Sequence, residues 1–137
     1  MVDASKPKTK EEVKSEEMPN GMIRWKVLGS HFELPTQYKV IDPVGSGAYG
    51  VVVAAIYSGE DGTGENHIAI KKMEKVFEHK IFAQRTLREL KIMRLLNHDN
   101  VLSLKNILDP GSLENFKELY VMSELLETDL AQIIKST

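Results

Sequence analysis

The chain has 137 residues, 42% hydrophobic and 28% charged, with a formal net charge of -2 and no cysteine. That is the length of one domain with enough apolar content for a core, and it lacks the basic excess of a nucleic-acid binder. The missing cysteines exclude disulfides and thiolate metal sites, and the four His residues show no paired metal spacing. No apolar run approaches a membrane span, the N-terminus has no signal-type apolar region, and Val2 stands where a myristoylation glycine would be. A soluble intracellular protein is expected.

Residues 1–20 are expected to be a disordered charged tail. Lys6, Lys8, Lys10 and Lys14 intersperse with Glu11, Glu12, Glu16 and Glu17, and such a segment has little apolar surface to offset its ordering entropy. The balance of charges argues against a basic docking arm. Residues 21–37 read as an N-terminal extension packing on the main domain. Ile23, Trp25, Val27, Leu28, Phe32 and Leu34 form short extended pieces, broken at Gly29-Ser30 and at Pro35, which fits a small hairpin lying on a sheet with Trp25 in the core.

Strands are expected at Tyr38 to Val44, Val51 to Tyr57 and His67 to Met73, with turn signals from Ser58 to Asn66. In the third strand Ala69 and Lys71 share one face, and Ile68 and Ile70 the other. Lys72 then points away from Lys71 and reads as a surface cation. Phe82 to Leu96 has helical periodicity: Leu96, Phe82, Met93, Leu90 and Ala83 fall in an arc of about 140°. Thr86 and Glu89 are the only polar side chains in that arc. A carboxylate there needs a cationic partner or a place at the rim, in reach of water. Val101 to Leu108 and Leu119 to Ser123 are further strand candidates, the second apolar enough to be buried on both faces. Thr128-Asp129 can cap a short helix, Leu130 to Lys135.

Gly45, Gly47 and Gly50 have the spacing G-x-G-x-x-G. A Walker A loop needs Lys after its last Gly, and Val51 stands there. A dinucleotide fingerprint needs a helix to follow, but Val51, Val52 and Val53 favour strand. The third pattern is G-x-G-x-x-G-x-V between two strands, then V-A-I-K, then a helix carrying Glu. Gly45, Gly47, Gly50 and Val52 fit its first part, Ile68-Ala69-Ile70-Lys71 its second, and Glu89 its third. In that arrangement the Lys reaches phosphates and the Glu holds its ammonium.

From about Tyr38 to Ser136 the chain resembles the small lobe of a MAP kinase. The resemblance rests on Gly47-Ala48-Tyr49-Gly50, Arg85-Thr86-Leu87-Arg88-Glu89-Leu90, His98-Asp99-Asn100-Val101 and Glu127-Thr128-Asp129-Leu130. It implies an α+β fold: a twisted antiparallel sheet of about five strands plus one long helix, with the lobe at 38–123 and the hinge and a short helix at 124–137. It implies ATP as cofactor. Val44, Val52 and Ala69 would roof the adenine. The backbone of Gly45, Ser46, Gly47, Ala48, Tyr49 and Gly50 would cover the phosphates. Lys71 and Glu89 would be the catalytic pair, Ser123 the gatekeeper, Glu124, Leu125 and Leu126 the hinge, and Asp129 a neighbour of the ribose. The 58–66 loop is longer than is usual in the family, and Ser123 is smaller than many gatekeepers.

The chain contains no H-R-D-L-x-x-x-N, D-F-G or A-P-E. The resemblance therefore implies the ATP-binding lobe of a Ser/Thr kinase, Pro-directed at full length. Magnesium, protein substrates and an upstream kinase would be engaged through a lobe outside this chain. The isolated chain is expected to be inactive, cytoplasmic with the nucleus as a second compartment, and without nucleic-acid or membrane partners. The alternative is a non-catalytic truncated module that binds kinase partners. A purely structural α+β domain, whose glycines only turn a hairpin, does not account for the Gly–Lys–Glu order.

Overall fold

The computed structural model describes residues 13–47, 50–59 and 64–136. Strands β1 (Lys14–Glu17), β2 (Met22–Val27) and β3 (Ser30–Pro35) form a three-stranded antiparallel sheet. β4 (Tyr38–Gly47), β5 (Gly50–Ser58), β6 (Glu65–Met73), β7 (Leu104–Ile107) and β8 (Leu119–Glu124) form a second sheet, in the order β4-β5-β6-β8-β7. Helix α1 (Lys80–Leu95) lies between β6 and β7, and α2 (Leu130–Lys135) closes the chain. This is the expected five-stranded lobe with one long helix.

β2 and β3 meet in a two-residue turn. Leu28 (φ 51°) and Gly29 (φ 75°) both occupy the left-handed region, as a type I′ turn demands. The hairpin lies on one face of the five-stranded sheet. Phe32 and Leu34 are fully buried there with Val40, Val53, Ala55, Ile70 and Met122. The Phe32 ring meets Tyr120 edge-on, 5.9 Å between centroids. Trp25 and Leu28 pack against this core, as expected for the Trp; its Nε1 is buried without a hydrogen-bond partner among the described residues.

Three expectations need correction. Residues up to Asn20 read as tail, yet Lys14–Glu17 pairs with β2, Lys14 opposite Lys26 and Glu17 opposite Ile23. All four of its side chains are exposed. Low apolar content prevents core burial, but it does not prevent backbone pairing to an open strand edge. Residues 1–12 lie outside the described residues. Second, the helix begins at Lys80 and Leu96 is its C-cap. The apolar arc holds: Thr86 is buried and Phe82, Ala83, Leu90 and Met93 are half-buried, whereas Leu96 is half exposed. Third, Lys72 is not a surface cation. It is 4% exposed, because the hairpin covers the face of β6 to which it points.

β8 is buried from Leu119 through Met122, since both of its edges are paired and both of its faces are packed. Tyr120 and Met122 face the hairpin, while Leu119 and Val121 join Met73 and Val76 in a second core beneath α1. Burial also weakens the Tyr120 phenol as an acid, pushing its pKa well above the usual value.

Glu74 shifts the other way. Ser30 Oγ donates to its carboxylate at 2.7 Å, and that bond, aided by the Lys72 charge, holds its pKa below the ordinary 4.5. A lowered folded pKa adds stability above the unfolded value, lost as pH falls through the folded one. In urea, Ser30→Ala should therefore lower the unfolding midpoint at pH 7, with the difference shrinking below pH ~4. A difference that grows in acid would contradict the assignment.

Candidate functional site

Alternation along three strands builds one wall. Val52 and Ala54 on β5, Ala69 and Lys71 on β6, and Val121 and Ser123 on β8 all point away from the hairpin. They line a cavity of about 910 Å3, completed by Glu89 and Met93 of α1, the 124–129 segment and Gln132 of α2. Val44 joins from β4. The β4–β5 register slips between Val40 and Asp42 and again between Pro43 and Gly45, leaving Ile41 and Val44 as bulge residues. A bulge re-aims a side chain, and here Val44 lines the cavity. Pro43 is tolerated because β4 is an edge strand.

Lys71 Nζ lies 3.6 Å from Glu89 Oε1. The pair answers both readings of Glu89, which finds a cation and also keeps 53% of its side chain exposed, against 31% for Lys71. At that exposure the pair adds little stability, of order 1 kcal/mol or less. Its effect is to point an ammonium into the cavity. The apolar strand face beside it suits a flat ring, with Ala69 allowing close approach. At the far edge Ser123 Oγ donates to the Glu124 carbonyl at 3.3 Å, leaving that oxygen a second acceptor position. Glu124 Oε1 accepts from Ser103 N at 2.9 Å, which ties the end of β8 to the loop before β7. Asp129 caps α2, its Oδ1 accepting from Gln132 N at 2.8 Å.

The structure thus brings Val44, Val52, Ala69, Lys71, Glu89, Ser123, Glu124, Leu126 and Asp129 around one cavity. It brings in none of the described residues of the glycine stretch: Gly45, Ser46, Gly47 and Gly50 do not line this cavity. Strand pairing continues through Gly45↔Val52, Ser46↔Val51 and Gly47↔Gly50, so the connection is shorter than the whole glycine stretch. Gly47 and Gly50 border a neighbouring cleft of about 620 Å3, with Lys75 and Phe82. Ala48 and Tyr49 lie outside the described residues. Ala54, Met73, Val121 and Met93 also line the cavity and were missed. The signal for Ala54 and Val121 was the two-residue alternation from Val52 and Ser123, and for Met93 the helical step from Glu89.

Among the described residues no group of three or more His, Asp or Glu is placed to hold a metal ion. No described helix is long and apolar enough to cross a membrane.

Comparison with known proteins defines the class. Residues 38–137 match the protein kinase domain, and the chain belongs to the protein kinase family. Within it the relatives are MAP kinases. The chain is 43% identical over 129 residues to mitogen-activated protein kinase 7 of Arabidopsis thaliana, covering 88% of this chain and 33% of the relative. It is 45% identical over 127 residues to mitogen-activated protein kinase 4 of Oryza sativa subsp. japonica, covering 87% and 32%. It is 44% identical over 117 residues to extracellular signal-regulated kinase 1 of Dictyostelium discoideum, covering 85% and 21%. The chain spans about a third or less of the length of these relatives.

Proposed function

We propose that the chain is the ATP-binding lobe of a MAP-kinase-like enzyme that phosphorylates Ser or Thr, Pro-directed at full length. The observation that carries this is the Lys71–Glu89 pair, 3.6 Å apart at the wall of a cavity whose roof is Val44, Val52 and Ala69. The adenine would lie on that apolar face and meet the Glu124 carbonyl and the Leu126 amide. The phosphates would lie toward Lys71 under the Gly45–Gly50 segment. When bound, ATP supplies the transferable phosphoryl group; the chain's own residues orient it and hold a positive charge beside it. Asp129, occupied as a helix cap, would act at the ribose through its remaining acceptor capacity.

Magnesium fits poorly among the described residues, which gather no cluster of carboxylates. The ion, the protein substrate and an activating kinase would be met by sequence of the kind that carries H-R-D and D-F-G. The expected compartment is the cytoplasm, with the nucleus second. The reading predicts that the 137-residue polypeptide alone transfers no phosphate from ATP to a generic acceptor protein, and that calorimetry finds ATP affinity weaker than micromolar. Transfer that disappears in Lys71→Ala would refute the first expectation, and micromolar affinity the second.

A further inference from the structure

We propose that Lys72 is a positioning residue for the phosphate-binding segment, and that through it the β2–β3 hairpin holds that segment in place. The role of the segment rests on the nucleotide-lobe reading above; the mechanical coupling does not.

The Lys72 side chain is 4% exposed, and its Nζ lies 3.1 Å from Glu118 Oε2 and 3.5 Å from Glu74 Oε1. It also donates to the His31 carbonyl. An ammonium has three donors, and here three acceptors meet it from three places: β3, the residue after β6 and the residue before β8. Two further bonds tighten the same junction. Ser30 Oγ donates to Glu74 Oε1 at 2.7 Å, and Glu33 N donates to Tyr120 Oη at 3.2 Å. The Tyr120 ring lies beside the ammonium, 5.6 Å from Nζ to centroid.

The backbone of Lys72 faces the other way in function. It pairs with Val51 on one side and Tyr120 on the other. A Cβ built on Gly50 would overlap the Lys72 carbonyl oxygen, so the base of the glycine segment rests directly on this peptide. Lys71 is its chain neighbour. One residue therefore anchors the hairpin by its side chain, supports Gly50 by its carbonyl and carries Lys71 by its peptide bond. An apolar residue of similar volume would fill the space but bring no donor to the three acceptors, so it would not fix the hairpin at a set position. The hairpin lies outside the residues that match the kinase domain, 38–137.

The test is amide hydrogen exchange by NMR on the 137-residue chain and its variants. Lys72→Met should raise exchange at Gly50, Val51, Val52 and Lys71 by ~10-fold relative to Ile107 on the opposite edge strand. Ser30→Ala alters only the hairpin side of the junction and should raise the same amides by a smaller factor. Equal increases in every strand, or no change at these four amides, would overturn the proposal. If Lys72→Met fails to fold, Ser30→Ala decides by the same comparison. An ATP titration of Lys71→Met runs alongside: binding that survives there sinks the nucleotide reading of the segment, while the exchange result judges the coupling alone.

Discussion

Phe32→Ala should destabilise the chain by about 3–5 kcal/mol. Phe32 is fully buried, sits on Tyr120 and belongs to the same core as Val53, Ile70 and Met122. Truncation removes a whole ring between two sheets, and paired strands on either side limit how far the gap can collapse. A domain of this size has about 5–15 kcal/mol in total, so the variant should populate unfolded chains measurably. Chemical denaturation should show both sheets lost in one transition at a lower midpoint. A change below about 1 kcal/mol would mean that the hairpin is an appendage rather than part of the fold.

Gly50→Ala should damage the site far more than Gly47→Ala. Gly50 has φ +133° and its added Cβ would overlap the Lys72 carbonyl oxygen. Neither partner can yield, because Val51 and Lys72 are paired in the sheet. The backbone conformation is itself one that only glycine adopts without strain, worth roughly 1–3 kcal/mol. At Gly47 no atom of the described residues stands within 4 Å of a built Cβ, and the φ lies outside the left-handed region. Its replacement should stay within about 0.5 kcal/mol, as at most surface positions. Thermal unfolding of the two variants separates them, and a Gly47→Ala loss equal to that of Gly50→Ala would contradict the geometry. The motif treats its glycines alike; the packing does not.

Much of the site could be read from alternation and helical periodicity. Strand period puts Lys71 and Ala69 on one face, Val52 comes from the glycine motif and the family resemblance, and Glu89 from being the lone acid on an apolar arc. The same rule reaches Ala54 and Val121. Alternation assigns a side chain to a face, though, and says nothing about what covers that face. Alternation puts Lys72 on the correct face but leaves it in water, because the hairpin that buries it is joined by contacts distant in sequence. The Val44 bulge was likewise invisible: a register slip depends on the partner strand. β1 escaped notice because its exposed Lys and Glu side chains carry no burial pattern, while its backbone does the pairing.

The central claim is that the cavity under Val44, Val52 and Ala69 takes ATP, with Lys71 at the phosphates. The most direct measurement is an NMR titration of the 137-residue chain with ATP, in which weak binding still moves resonances. Shifts should gather at Val52, Ala69, Lys71 and 123–126, and vanish in Lys71→Met with the fold intact. Shifts that gather elsewhere, or that persist unchanged in Lys71→Met, would contradict the account.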